Sequence, residues 1–170
     1  VILHIHNTSN NNNGIKIYTN GASNELYAEM YNSSGSATTK NTGGADTFHD
    51  GKWHHFALTN SGTEVKLYWD GKLNKQFTTT VDRDSDPSMK LFVGANSSGG
   101  TKFTGQIEEL RIFSDVRTES ELRSNMFVNV HGDISGDALS ARYGFNEGTG
   151  TAIDNSQGTA GRDLVLTNAS

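Results

Sequence analysis

The chain has 170 residues, of which 33% are hydrophobic and 19% are charged, with a formal net charge of −5 and no cysteine. This length fits one domain that is large enough for a two-layer core. The Gly-, Ser-, Thr- and Asn-rich composition favours a sheet protein with many turns over a helical bundle. The lack of cysteine excludes disulfides, thiol catalysis and thiolate metal sites.

Charge and hydropathy exclude two further classes of protein. Lysines and arginines are scattered along the chain, so we expect no nucleic acid partner. No apolar run approaches the roughly 20 residues of a spanning helix, so we expect no membrane insertion. The opening VILHIH is too short for a signal peptide. Because the chain lacks an initiator methionine, we expect that it was cut from a longer protein or processed.

Strands are predicted from the first residues onward, because apolar and polar residues alternate. The alternation covers residues 1–6, 15–21 and 25–31. Residues 32–46 are rich in Gly, Ser, Thr and Asn, which predicts an exposed loop with room for a weak edge strand.

Residues 50–77, with the sequence DGKWHHFALTNSGTEVKLYWDGKLNKQF, predict three antiparallel strands in a meander. Asp70-Gly71 supplies the positive φ angles of a two-residue hairpin turn. Large aromatic residues on alternating strands usually build the core, so we expect Trp53 to be buried. Trp69 lies next to the hairpin tip and is the better candidate for stacking on a ligand.

Two more strands and one helix are predicted after the meander. The strands begin at Leu91 and cover residues 103–113. Thr118 and Glu121 have the spacing of a capping box, so the helix is expected at about 118–127. The sequence thus predicts an all-β fold with one short helix.

The motif D-G-x-W-H-H-hydrophobic-A at 50–57 and the motif hydrophobic-Y-x-D-G at 67–71 resemble the laminin-G-like (concanavalin A-like) jelly-roll family, which is related to the pentraxins. The resemblance continues in the family's order and spans residues 48–126. It implies an antiparallel two-sheet jelly-roll sandwich, which we expect to form a single domain over residues 1–170.

Residues 138–170 resemble the segment that usually opens a domain of this family, whereas the family's opening strands are missing before Val1. Either this tail begins a following repeat, or it folds back and completes the sandwich. A lone terminal hairpin is marginally stable in water, so we favour packing of the tail on the main sheet.

Jelly rolls of this family commonly hold one structural Ca²⁺, and the resemblance implies a site at Glu108, Glu147 and Asp154. Calcium suits oxygen ligands from distant strands because it accepts loose geometry. The alternative is that these are surface carboxylates, with Glu108 or Glu109 paired to Arg111 or Lys102.

A second acidic group, Asp82, Asp84 and Asp86, has the alternating spacing that begins a calcium loop, but the glycine and distal glutamate of such a loop are absent. We therefore favour a solvated acidic loop over a calcium site at these three residues. It can form one wall of a ligand site that also includes Trp69 and Asp70, since jelly-roll loops cluster at sheet ends.

The histidines do not predict a zinc site. His54 and His55 are adjacent in a predicted strand and so point to opposite faces. His4 and His6 share a face, but no carboxylate or third histidine follows at a spacing typical of zinc ligands.

No nucleophile motif, phosphate loop or glycosidase carboxylate signature is visible, so we expect no catalysis.

Two functions remain open. One is an extracellular adhesion or binding module that recognises carbohydrate or a protein partner, on a cell or virion surface. The other is a structural or decorative domain of a virion, fibre or surface assembly, with neighbouring chains as partners in an oligomer. The first predicts an exposed aromatic beside polar groups, and the second predicts that the apolar faces of VILHIH and of the tail are buried against another chain.

Overall fold

The computed structural model describes residues 1–9, 14–23, 25–43, 50–79, 88–128 and 138–146, together with the backbone of 152–153 and 164–165. The chain divides into two compact units. The first is formed by residues 1–104 and 118–126, and the second by residues 105–117 and 127–170. The described residues form mostly strands and one short helix, which confirms the predicted fold class.

The first unit contains two antiparallel sheets. Its strands are β1 (Leu3–Asn7), β2 (Ile15–Asn20), β3 (Glu25–Tyr31), β4 (Ala37–Asn41), β5 (Phe56–Asn60), β6 (Glu64–Trp69), β7 (Lys72–Thr78) and β8 (Met89–Val93). One sheet has the order β4-β3-β2-β1-β8, and the other has the order β5-β6-β7. The edge position of β4 agrees with the weak edge strand expected in the polar stretch 32–46.

The two sheets meet in a core around Met30 and Val65, both of which are fully buried. Ile15, Leu58 and Phe77 pack against this pair. Ile15 lies opposite Met30 in the strand register, so alternate positions of β2 and β3 point into the core. The intervening positions form the opposite side of the five-stranded sheet, which we call the outer face. The first unit is therefore a two-layer sandwich.

The hairpin between β6 and β7 has the predicted turn. Asp70 and Gly71 have φ angles of 48° and 72°, the two positive values of a type I′ turn. Gly71 also lies against the helix α1 (Glu119–Asn125). A Cβ atom on Gly71 would lie 3.1 Å from Arg123 Cα and 3.0 Å from Met126 Sδ. Glycine is needed here both for the backbone conformation and for close approach of the helix.

The helix begins with the predicted capping box. The Thr118 hydroxyl accepts a hydrogen bond from the Glu121 N–H, and the Glu121 carboxylate accepts one from the Thr118 N–H. The helix is shorter than the predicted 118–127. In the part of the chain that the structure describes, no helix has the length and apolar character needed to cross a bilayer.

Two predicted strands are longer than the observed ones. The strand expected from Trp53 begins only at Phe56, and Trp53 itself is 55% exposed, so its predicted core position is wrong. The strand expected over 103–113 contains only β9 (Leu110–Phe113). Glu109 has a φ angle of 57°, which is incompatible with extended backbone and ends the regular strand on its N-terminal side.

In the second unit, β9 pairs antiparallel with β10 (Leu139–Tyr143), and the short strands β11 (Ala152–Ile153) and β12 (Leu164–Val165) pair with each other. The tail therefore supplies a strand that pairs within this chain. Whether residues 138–170 complete the sandwich or begin a further repeat stays a prediction.

Candidate functional site

Only three of the predicted site residues lie in the described part of the chain, namely Trp69, Asp70 and Glu108. The others, Asp82, Asp84, Asp86, Glu147 and Asp154, lie outside the described residues. Among the described residues, no three acidic or histidine side chains come together as a metal-binding group. The calcium site and the acidic loop wall stay predictions.

Trp69 and Asp70 belong to a cluster that we call the hairpin end, formed by Asp50, Trp53, His54, Trp69 and Asp70. The His54 ring stacks on Trp69 with the ring centroids 4.7 Å apart. Its Nδ1 lies 2.9 Å from Asp70 Oδ2, and its Nε2 lies 3.0 Å from Asp50 Oδ1. His54 is thus held between two carboxylates and covers part of the Trp69 indole.

The same two carboxylates fix the backbone on both sides of Trp53. Asp70 Oδ1 accepts the His55 N–H at 2.9 Å, and Asp50 Oδ1 accepts the Lys52 N–H at 2.9 Å. The backbone pairing with β6 reaches only as far as His55, whose carbonyl accepts the Asp70 N–H at 2.8 Å. Trp53 lies before this point, between the two bonds to the carboxylates, and is not in the core. Both Trp69 and Asp70 make internal contacts, and their role as ligand residues stays a prediction.

Two carboxylates beside one imidazole favour its protonated form. Burial of the ring opposes protonation, but the hydrogen bonds and charges of Asp70 and Asp50 outweigh it and raise the pKa of His54. Hydrogen bonds from His54 and from the Lys52 N–H lower the pKa of Asp50 to about 2. The two carboxylates of the hairpin end therefore favour the charged form of His54.

We expect the substitution His54→Gln to remove a pH-dependent part of the stability. The folded-state pKa of His54 is raised above its unfolded value of about 6.5. The stabilisation is therefore present below that pH and is lost as the pH rises through the folded-state pKa. Urea denaturation between about pH 5 and pH 9 should show wild-type stability falling relative to the variant. Asp50→Asn, which removes one of the two carboxylates, should give an intermediate slope, and equal slopes for all three proteins would contradict this account.

The outer face of the five-stranded sheet carries two rows of side chains that cross the strands. The strand registers place Tyr18, Tyr27 and Asn41 in one row, and Phe92, His4, Lys16, Glu29 and Thr39 in the other. Such cross-strand neighbours lie close enough to interact. No pattern in the sequence had indicated this face.

The first row is an ordered group of aromatic and polar side chains. Tyr18 and Tyr27 stack with centroids 5.3 Å apart and 19° between their planes. Lys16 Nζ lies 4.6 Å from the centroid of Tyr18, a cation–π contact. Tyr27 Oη and Asn41 Nδ2 both donate to Glu25 Oε2, at 2.9 and 3.0 Å. The row therefore holds an aromatic ring, an amide and a carboxylate in fixed positions.

The second row contains a half-buried ion pair. Lys16 Nζ lies 2.8 Å from Glu29 Oε2, and the two side chains are 25% and 16% exposed. Burial opposes ionisation of Glu29, but the hydrogen bonds from Lys16 and Tyr31 lower its pKa. Burial and the bond to Glu29 raise the pKa of Tyr31 to about 12. Glu29 is therefore ionised, and Tyr31 keeps its proton.

His4 lies in the same row and is buried. Its Nδ1 accepts the Ser97 N–H at 3.1 Å. Burial, followed by the charges of His6 and Lys16, lowers the pKa of His4 to about 4. The neutral ring then carries its proton on Nε2, so neither ring nitrogen offers a free lone pair. This geometry argues against zinc at His4 and His6.

In the second unit, the Glu109 carboxylate pairs with two arginines. Arg111 Nη2 lies 3.0 Å from Oε2, and Arg142 Nε donates to the same oxygen at 3.0 Å. The arginine side chains are only 10% and 6% exposed. Burial opposes ionisation, but Arg142 and then Arg111 lower the pKa of Glu109. The pairing of Glu109 with Arg111 is one that the sequence led us to expect, and the contact with Arg142 was not foreseen.

The two-layer antiparallel arrangement of the first unit defines the class as an all-β sandwich domain. Residues 1–123 match a laminin G family model described as the concanavalin A-like lectin/glucanases superfamily. The match covers more than half of the chain, so the protein belongs to this superfamily. This confirms the family that the residues around the W-H-H motif indicated.

A solved structure of a candidate carbohydrate-binding protein from Bacteroides ovatus is similar in fold, with a TM-score of 0.63 and 20% identity. The alignment covers 85% of this chain and 42% of that one, so the chain spans less than half of that protein. A further structure, of an S-layer domain-containing protein from Clostridium thermocellum, aligns with a TM-score of 0.38 and 20% identity over 71% of this chain and 59% of that one.

Proposed function

We propose that this chain is a non-catalytic, extracellular carbohydrate-binding module and that the outer face of the five-stranded sheet binds the sugar. The observation that carries the proposal is the group formed by Tyr27, Asn41 and Glu25. One side of the Tyr27 ring faces Tyr18. Asn41 is the partner of Tyr27 on the edge strand β4.

This group has the parts that sugar recognition needs. A pyranose ring presents an apolar C–H side that packs on an aromatic ring, and its hydroxyls hydrogen-bond with planar amide and carboxylate groups. Asn41 and Glu25 hold each other in place through the bond between them. A ligand therefore finds its partners already ordered, which lowers the entropy cost of binding.

The carboxylates of this face support a binding role rather than hydrolysis. A glycosidase needs a general acid whose pKa is raised. Here hydrogen bonds from Tyr27 and other donors lower the pKa of Glu25, and the pKa of Glu29 is lowered as well. Both groups are hydrogen-bond acceptors near neutral pH, and neither is a proton donor.

Screening on a glycan array, with and without EDTA, tests the proposal and the predicted Ca²⁺ site together. We expect Tyr27→Ala to weaken binding of the best oligosaccharide about tenfold, since a stacked aromatic contact contributes about 1 kcal/mol or more. Gln76→Ala, on β7 of the other sheet, should bind like the wild type. Equal affinity of Tyr27→Ala and the wild type would overturn the outer face as the site.

The alternative role, as a structural domain of a virion, fibre or surface assembly, predicted that the apolar face of VILHIH is buried against another chain. In the structure Leu3 and Ile5 pair with Ile17 and Ile15 on the inner side of the sheet. Both side chains are half-buried within this chain. The binding module is favoured by the ordered group on the outer face and not by the packing of β1.

A further inference from the structure

Trp53 is a large aromatic side chain that lies largely in solvent, although the backbone around it is fixed. It is 55% exposed, although burial of such a side chain would stabilise the fold. Its backbone is nevertheless anchored on both sides, by the Lys52 N–H on Asp50 and by the His55 N–H on Asp70. The exposure of the indole is therefore built into the fold and is not a consequence of a loose loop.

His54 makes this anchoring stronger. Its ring is stacked on Trp69 and bonded to Asp50 and Asp70, so the residue after Trp53 is fixed by three contacts. A rigid exposed aromatic is an efficient binding group, because little conformational entropy is lost when a ligand packs on it. The hairpin end thus has the features of a preorganised binding site.

The neighbours of Trp53 indicate what kind of ligand it takes. Lys52, whose side chain is 76% exposed, is bonded to Asp50, and His54 follows on the other side. A stable protein interface needs roughly 800 Å² from each partner, with a core of several apolar residues. One indole beside an ammonium and a carboxylate instead matches a single sugar ring with its hydroxyls.

We propose that Trp53 is the platform of a second saccharide-binding site, separate from the outer face. Trp53 precedes β5 in the three-stranded sheet, whereas Tyr27 lies on β3 of the other layer. The two sheets meet through their inner sides around Met30 and Val65. Each chain therefore offers one sugar site on each layer, and two glycan strands can be held at once, which increases avidity on a polymeric ligand.

The test is the number of sugars bound, measured by calorimetry with a tetrasaccharide panel of cellotetraose, maltotetraose and xylotetraose and with the best ligand of the array. The wild type should bind two per chain, and Trp53→Ala should bind one. Leu73→Ala, which removes another exposed apolar side chain, should still bind two. His54→Gln should keep two sites but weaken the one at Trp53 several-fold, because the indole is then less firmly held.

The two proposals fail in different ways. If Trp53→Ala still binds two sugars, the second site is overturned and the outer face stands. If Tyr27→Ala leaves binding unchanged while Trp53→Ala abolishes it, the outer face is overturned and the site at Trp53 stands. A fluorescence unfolding curve that remains cooperative, with Trp69 as the remaining probe, shows that Trp53→Ala is folded.

Discussion

Replacing Gly71 by alanine is expected to lower the free energy of unfolding by about 3 kcal/mol. A residue with a Cβ atom at a φ of 72° costs about 1 kcal/mol or more. The new methyl group would also lie 3.1 Å from Arg123 Cα and 3.0 Å from Met126 Sδ, and forcing a packed helix outward costs a further 1 to 3 kcal/mol or so. The two tryptophans of the chain are both in the first unit, so urea denaturation followed by their fluorescence reports its stability.

Gly99→Ala is the matched control for this substitution. Gly99 has a φ of 71°, and a Cβ atom there would meet nothing within 4 Å. Gly99→Ala should therefore lower the free energy of unfolding only by the cost of the backbone conformation, about 1 kcal/mol. The difference between the two variants measures the packing of α1 on the hairpin, and equal losses would show that the helix does not constrain Gly71.

Replacing Glu109 by glutamine is expected to destabilise the second unit by about 3 kcal/mol. Arg111 and Arg142 share this carboxylate and are almost buried. Removing one partner of a buried ion pair is strongly destabilising, because the charges that remain lose their compensation. Hydrogen exchange of the amides in β9 and β10 measures the stability of this unit directly.

Glu119→Gln provides the control, since it makes the same chemical change on the surface. Glu119 pairs with Arg123 four residues later on α1, and the two side chains are 43% and 55% exposed. Such pairs contribute about 0.5 kcal/mol or less. If Glu109→Gln costs no more than Glu119→Gln, the buried network does not stabilise the pairing of β9 with β10.

Local chemistry explains which parts of the fold could be predicted from the sequence. The turn at Asp70-Gly71 and the capping box of Thr118 and Glu121 depend on residues within four positions of one another. Their signals are therefore complete in a short stretch of sequence. The alternation in β1, β2 and β3 likewise reflects one buried and one outer side of the sheet.

Trp53 shows where such patterns fail. Alternation predicts a strand, but it does not reveal that Asp50 and Asp70 bind the backbone around Trp53 and hold it outside the sheet. Asp70 lies fifteen residues beyond His55, whose N–H it accepts. A contact over that distance exists only once the pairing of β5 with β6 has brought the two together.

The outer face was missed for a related reason. Tyr27 and Glu29 look like ordinary alternating strand residues, and only the register of β2, β3 and β4 brings them beside Tyr18, Lys16 and Asn41. The Glu109–Arg142 contact spans 33 positions and depends on the pairing of the tail with β9. Registers between distant strands are fixed by packing and not by local sequence.

The most direct measurement of sugar binding by the outer face is a ¹H–¹⁵N correlation spectrum recorded while the best oligosaccharide of the array is added. The account predicts that the largest shifts fall on Tyr18, Tyr27 and Asn41 and on their neighbours in β2, β3 and β4, with a separate group at Trp53. The inner-facing residues Met30 and Val65 should change little. Saturable shifts that leave β3 and β4 unperturbed would contradict the assignment of the binding site to this sheet.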